Sequence, residues 1–298
     1  MSELQEGLVI AHLGQGIAVE YNDNIILCQT LRRLETVAVG DHVLWTLSSP
    51  DQGRIEEILP RRSLLSRPSR NGKTRPVAAN LDTVFVVFAV EPHCDFLLLD
   101  QYLAVCENHN INAALILNKT DLTQSDVIEA ELLTYKNLGY ALYRVSAWSN
   151  SGLDELKGVL KDQVSMLAGQ SGVGKSSLTN AIIPDKDLKT NTISATTKHG
   201  RHTTTAATLY HLNGGGDLID SPGVAIFGLA GLSEYKLAYG YREFQAHIEH
   251  CQFNDCRHLK DKGCAVRLAV ETGEISNARY QRFLKLREKM PTEYVGSM

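Results

Sequence analysis

The stretch Val164-Ser165-Met166-Leu167-Ala168-Gly169-Gln170-Ser171-Gly172-Val173-Gly174-Lys175-Ser176-Ser177-Leu178 decides the fold class of this chain. A short apolar run enters Gly-x-x-x-x-Gly-Lys-Ser, and the helix-like Ser177-Leu178-Thr179-Asn180-Ala181-Ile182 leaves it, the strand, loop and helix setting of a phosphate-binding loop. Glycines let successive backbone N–H groups turn inward on phosphate oxygens, and the helix N-terminus adds a favourable dipole. In that pattern the loop from Gly169 to Ser177 cradles the phosphates, Lys175 contacts the β- and γ-phosphates and the Ser176 hydroxyl ligates Mg²⁺. A chance glycine-rich turn is the competing reading, and the flanking strand and helix argue against it.

Upstream of the loop, apolar runs alternate with helical stretches. Asp82-Thr83-Val84-Phe85-Val86-Val87-Phe88-Ala89-Val90 reads as a strand buried on both faces. Helices are expected over residues 98–108, 125–138 and 153–160, with strands over 113–117, 141–145 and 164–168. Such alternation marks a parallel sheet covered by helices. At the end of one strand stands Asn118-Lys119-Thr120-Asp121, where ligands of open α/β sheets bind. The Asp121 carboxylate can accept from N1–H and the exocyclic amine of guanine, whereas adenine offers it an acceptor. A site that leaves such a group unpaired rejects the wrong base by on the order of 10⁴-fold. The tetrapeptide alone is a weak signal; Ser146-Ala147 at the end of the next strand, expected to buttress the base, and the phosphate loop make it a strong one. An ATPase is disfavoured by Asp121.

The order of these elements is inverted, because the base-recognition tetrad precedes the phosphate loop. Downstream, Asp220-Ser221-Pro222-Gly223 follows Leu218-Ile219 and fits D-x-x-G, with Asp220 holding Mg²⁺ through water and the Gly223 N–H reading the γ-phosphate. A strand-ending Asp before a turn is the plainer alternative. Gly200-Arg201-His202-Thr203-Thr204-Thr205 lies between and is expected to form the first switch, with Thr204 (or Thr203 or Thr205) closing on Mg²⁺. Where many GTPases carry a water-orienting Gln after D-x-x-G, this chain has Val224. His202 is the nearest titratable catalytic candidate, against a switch-structuring or RNA-contacting role.

Before the α/β region, residues 1–66 show short apolar runs at roughly ten-residue spacing: Gly7-Leu8-Val9-Ile10, Gly16-Ile17-Ala18-Val19, Asn24-Ile25-Ile26-Leu27, Asp41-His42-Val43-Leu44-Trp45 and Gly53-Arg54-Ile55-Glu56-Glu57-Ile58. They suggest a small β-barrel, OB-type or SH3-like. Residues 54–75 hold seven basic residues (Arg54, Arg61, Arg62, Arg67, Arg70, Lys73, Arg75) against Glu56 and Glu57, a solvated linker or a phosphate-contacting patch.

After Gly231 the strands stop, and helices are expected over 234–246 and 278–289 around a Cys/His-rich loop. Cys251-x4-Cys256-x-His258-x5-Cys264 supplies three thiolates and one imidazole, a closed tetrahedral set for one structural Zn²⁺. A disulfide would need an oxidising compartment, and bystander thiols would leave the His unexplained. His247 or His250 could replace one ligand. The tail, residues 241–298, has ten Lys/Arg and eight Asp/Glu. Arg279, Arg282, Lys285, Arg287 and Lys289 would suit an RNA-facing or an ordinary solvated helix face.

This order of motifs, between an N-terminal barrel and a C-terminal Cys/His unit, resembles the circularly permuted ribosome-assembly GTPases of the RsgA (YjeQ) family, over essentially the whole chain. The resemblance implies a multidomain fold: an OB-fold-like RNA-binding barrel (1–66), a circularly permuted α/β P-loop GTPase (67–230) and a mostly α-helical zinc-binding domain (231–298). It implies GTP hydrolysis to GDP and phosphate, with Mg²⁺, stimulated by the small ribosomal subunit and its rRNA during late maturation. It matches the zinc spacing ligand for ligand, and that family also carries a hydrophobic residue where Val224 stands. Its barrel begins close to Met1, so an rRNA-binding arm ahead of it is not expected. The alternative is a GTP-dependent, zinc-containing partner-binding module without a ribosomal role.

Composition agrees with that class: 298 residues, 43% hydrophobic, 21% charged and a net charge of -4, with no apolar run near the 18 residues of a membrane span. Met1 to Glu6 lacks a basic region followed by an apolar block, so a cytoplasmic, membrane-free monomer is expected. Cys28, Cys94 and Cys106 are scattered, as reduced core thiols are. Since the sheet is used up before Asp220, residues 220–228 lead straight into the C-terminal unit, which predicts that the second switch moves that unit as a lever.

Overall fold

The computed structural model describes residues 3–68, 74–123, 126–186, 207–221, 229 and 232–290. Five strands form the N-terminal barrel: β1 (Gln5–Leu13), β2 (Gly16–Tyr21), β3 (Asn24–Thr30), β4 (His42–Ser49) and β5 (Gln52–Ile58). They run β1-β2-β3-β5-β4 and close through β1–β4, with β3–β5 the parallel pair. That closure makes the barrel OB-like. Val9, Val19, Val43, Trp45 and Ile55 fill it. A register shift between Val9 and Ala11 re-aims β1, so Val9 faces the barrel core while Ile10 and Ala11 join the core of the next region.

The basic stretch is built into the fold rather than forming a linker. Arg61 reaches the fully buried Asp41 with two 2.7 Å hydrogen bonds, and Asp41 also accepts from the Ala38 N–H at 2.7 Å. Arg62 pairs with Asp82 at 2.5 Å and Arg54 with Glu56 at 2.7 Å. Beyond them β6 (Leu64–Pro68) and β7 (Thr74–Ala79) form a hairpin in which Arg67 opposes Arg75; Arg70 and Lys73 lie outside the described residues.

The central sheet runs β10 (Ala141–Arg144), β9 (Asn112–Asn118), β8 (Thr83–Ala89), β11 (Val164–Ala168), β13 (Asp217–Asp220), β12 (Thr208–His211). All are parallel except β12, a strand that lacks a strong apolar run and that sequence reading missed. β12 meets β1 at Thr208 and Ala11, joining barrel and sheet. Helices α1 (Phe96–Asn108), α2 (Asp126–Asn137), α3 (Leu153–Leu160) and α4 (Lys175–Ile182) lie close to the expected bounds.

The C-terminal unit holds α5 (Glu234–Tyr239), α6 (Arg242–Ile248), α7 (Ala265–Glu271) and α8 (Asn277–Glu288). One helix was expected over 234–246. Gly240 interrupts it where the chain presses on α1: a Cβ there would lie 2.8 Å from the Ala104 backbone. The unit shares its core with α1, through Leu237, Tyr241, Phe244, Phe283 and Leu286. At the centre sits Asp100 of α1, 1% exposed, which accepts from Arg279 (2.5 Å), Arg282 (2.6 Å) and the Tyr135 hydroxyl (2.5 Å). Arg279 and Arg282 also pair with Glu243 and Glu131, and Arg287 pairs with Glu234. Three of the five basic residues on this helix are therefore internal ties, not an RNA-facing surface.

Candidate functional site

Four loops at the C-terminal ends of β8, β9, β10 and β11 converge on one place. Gly169 at φ +144° and Gly174 at φ +92° must be glycines, because besides the backbone conformation a Cβ would strike the Val87 carbonyl oxygen at the first and the Asn118 side chain at the second. Asn118 is the keystone. Its Nδ2 donates to the Val173 carbonyl (2.9 Å), and its Oδ1 accepts from the Ala147 N–H (3.2 Å). The Ser146 hydroxyl, wholly buried, donates to Asp121 at 2.5 Å, and the Thr120 N–H donates to the Val145 carbonyl at 3.2 Å. Lys119 adopts φ +62° and reaches the Glu91 carbonyl at 2.7 Å. The tetrad, Ser146-Ala147 and the phosphate loop thus form one hydrogen-bonded ring, although Asn118 and Val173 are 55 residues apart.

Within that ring Asp121, Ser171, Gly172, Ser176 and Ser177 are exposed, whereas Asn118, Gly169 and Val173 are buried. The bonded frame is inside and the groups expected to touch ligand face outward. Lys175 donates to the Gly169 and Gln170 carbonyls at 2.7 and 2.8 Å, and burial lowers its pKa, opposed by the charge of Asp220. Asp220 ends β13 beside the phosphate loop's own strand, β11. A hydroxyl at Ser176 and a carboxylate at Asp220 are hard oxygen donors of the kind Mg²⁺ takes. Gly223, Val224, His202 and Thr203, Thr204 and Thr205 lie outside the described residues.

Sequence reading missed how α1 enters this site. Gln170 accepts from the Asp95 N–H (2.9 Å) and donates to the His93 carbonyl (3.0 Å), and Asp95 caps α1 through the Leu98 N–H (3.0 Å). Phosphate loop and α1 are therefore pinned at the helix start, about one and a half turns from Asp100. An Asp within Leu97-Leu98-Leu99-Asp100-Gln101-Tyr102-Leu103 was the available signal, since a carboxylate in an apolar helix face needs a partner.

The second cluster is Cys251, Cys256, His258 and Cys264, whose ligand atoms all lie within 4.8 Å of one another. His258 Nδ1 faces Cys251 Sγ at 3.7 Å and Cys264 Sγ at 3.5 Å. Tetrahedral zinc with its usual bond lengths separates such ligands by about 3.6 Å, so the set fits a tetrahedral ion. Burial lowers the His258 pKa, favouring the neutral imidazole a metal needs. The Tyr280 hydroxyl donates to the His258 carbonyl at 2.6 Å, fixing the loop against α8. His247 and His250 stand outside this group, and His247 faces Glu274 at 3.9 Å. Cys28, Cys94 and Cys106 are free and buried, each thiol pushed up to about 12 by burial.

The RsgA GTPase family profile matches residues 58–230. A small ribosomal subunit biogenesis GTPase RsgA of Hahella chejuensis is 41% identical over 298 residues, covering 97% of this chain and 86% of its own length. A counterpart from Pseudomonas aeruginosa is 43% identical over 295 residues, covering 97% and 87%. Among solved structures, YjeQ from Thermotoga maritima superposes with a TM-score of 0.76 at 31% identity, covering 96% of this chain and 98% of its own. YloQ, described as a circularly permuted GTPase, superposes with a TM-score of 0.74 at 30% identity, covering 97% of each. No helix among the described residues is long and apolar enough to cross a membrane. The chain belongs to the RsgA GTPase family.

Proposed function

We propose that this protein is a GTPase of small ribosomal subunit biogenesis, which binds the subunit and its rRNA and hydrolyses GTP to GDP and phosphate in late maturation. The observation that carries the nucleotide reading is the Asn118-centred ring, which binds the base tetrad to the phosphate loop. In this reading Asp121 accepts from guanine, with Asn118, Lys119, Thr120, Ser146 and Ala147 shaping the base pocket. Gly169, Gln170, Ser171, Gly172, Val173, Gly174, Lys175, Ser176 and Ser177 hold the phosphates, and Gly223 reads the terminal one. Ser176, Asp220 and one of Thr203 to Thr205 hold Mg²⁺, which would neutralise charge developing on the transferred phosphoryl group. His202 is the candidate for positioning water.

Residues 1–66 then form the RNA-binding barrel, 67–230 the GTPase and 231–298 the zinc-binding unit. Zn²⁺ is the ion that three thiolates and one imidazole in a closed tetrahedron suit best, and its role is structural. Arg67 and Arg75, cross-strand neighbours of like charge, support an anionic partner such as rRNA, because like charges facing across a ladder are unfavourable unless screened or neutralised. A cytoplasmic monomer fits a ribosomal role.

The test is GTP hydrolysis with and without purified small subunits, together with co-sedimentation in a non-hydrolysable GTP analogue. Stimulated turnover and salt-sensitive co-sedimentation are expected. Absence of both would overturn the ribosomal reading and favour a partner-binding module. For His202, an unchanged subunit-stimulated kcat in His202→Ala would remove it from catalysis.

A further inference from the structure

Asp220 already carries a cation. The Lys186 ammonium ion-pairs with Asp220 Oδ2, and the two side chains are 21% and 22% exposed. Lys186 is held in place from several sides. Its N–H donates to the Ile183 carbonyl (3.2 Å), and the N–H of Ile183, the C-cap of α4, donates to the Thr179 carbonyl within that helix (2.8 Å). The ammonium also lies 5.8 Å from the ring centroid of Tyr210, which is 4% exposed on β12, the strand paired with β13.

Lys186 holds Asp220 Oδ2, so its ammonium and the water shell of a divalent ion draw on the same carboxylate charge. Mg²⁺ arriving with a nucleotide adds a second cation to that same charge. Lys186 is the group on Oδ2, so it is the one that must yield if the metal's water shell takes that oxygen. Resting on the nucleotide reading above, we propose that Lys186 competes with Mg²⁺ for Asp220 and so sets the Mg²⁺ requirement of nucleotide binding. Lys186 is a positioning residue: it acts through Asp220.

Two opposite effects follow from removing the charge. With Mg²⁺ present, Asp220 is freed for the metal. With Mg²⁺ chelated, Asp220 is left uncompensated beside the phosphates and repels them. The experiment is a titration of fluorescent mant-GDP binding against Mg²⁺, and again in EDTA, for wild type, Lys186→Met, Lys186→Gln and Lys186→Arg. The Met and Gln variants should need about fivefold less Mg²⁺ for half-saturation, the lower end of ordinary coupling between two sites. They should also bind mant-GDP more weakly than wild type in EDTA, and the Arg variant should keep the wild-type Mg²⁺ midpoint. Equal midpoints in wild type, Met and Gln would overturn the competition while leaving the nucleotide site standing. A wild type that binds no mant-GDP at any Mg²⁺ concentration would overturn both.

Discussion

The barrel and the C-terminal unit flank the same sheet, but they are held in different ways. The barrel owns a core, with Trp45 at 1% exposure among Val9, Val19, Val43 and Ile55. The buried residues of the C-terminal unit belong instead to the core of α1, and its two arginines reach Asp100, 179 and 182 residues earlier in the chain. A region with its own core can be damaged at that core without dismantling its neighbour; a region whose buried residues all complete another's core cannot. A lever motion of the C-terminal unit that left α1 behind would have to part Arg279 and Arg282 from Asp100, which such a buried carboxylate resists. Since Gln170 of the phosphate loop also holds the start of α1, this unit is tied to the nucleotide site through a helix as well as by the continuity of the chain after Asp220.

The largest expected effect is at that tie. Asp100→Ala removes the carboxylate that Arg279 and Arg282 share, leaving each only its glutamate, and should cost about 4 kcal/mol in urea unfolding, within the range for breaking a buried pair. Sheet and C-terminal helices should still melt together; separate transitions would show that the shared core is not cooperative. Trp45→Ala should cost about 3 kcal/mol. Its damage should stay in the barrel, so mant-GDP affinity should hold; a matching loss of affinity would erase the contrast between the two regions.

Gly174→Ala tests the ring between them. A Cβ at φ +92° must strike Asn118, so nucleotide affinity should fall about tenfold, or ~1.4 kcal/mol, in a titration of the same ligand. The smallest effect belongs to the seam of barrel and sheet. His211 on β12 touches Asp217 (2.6 Å) and Glu20 of the barrel (2.8 Å), and these hydrogen bonds raise its pKa from 6.5 to about 10. A raised folded pKa stabilises fully below 6.5 and is lost as pH climbs through about 10. Because the ring is half exposed, His211→Asn should lower Tm by about 1–2 °C at pH 6, with the difference from wild type vanishing near pH 10. A difference that grows with pH would rule out the charged histidine.

Much of the site was legible because its constraints are local. The phosphate loop is written in glycines that must take positive φ, the tetrad in a polar run ending a buried strand, and the metal set in the spacing of four ligands. What stayed hidden depends on partners far along the chain. Arg61 and Arg62 read as a basic linker because Asp41 and Asp82, twenty residues away on either side, neutralise them only after folding. Arg279, Arg282 and Arg287 read as a possible RNA face for the same reason. Gly240 looked like a tolerated glycine in one long helix, because nothing nearby in sequence announces the backbone of Ala104. β12 carries Thr208 and His211 around two apolar residues, too weak a pattern to mark a strand until β1 and β13 pair with it.

The most direct test of the account is hydrogen–deuterium exchange of the whole chain before and after stripping the Cys251, Cys256, His258 and Cys264 site with a chelator. Protection should be lost in α6, α7 and α8 and also in α1, while β1 to β5 exchange as before. Unchanged protection of α1, with loss confined to the C-terminal helices, would contradict it.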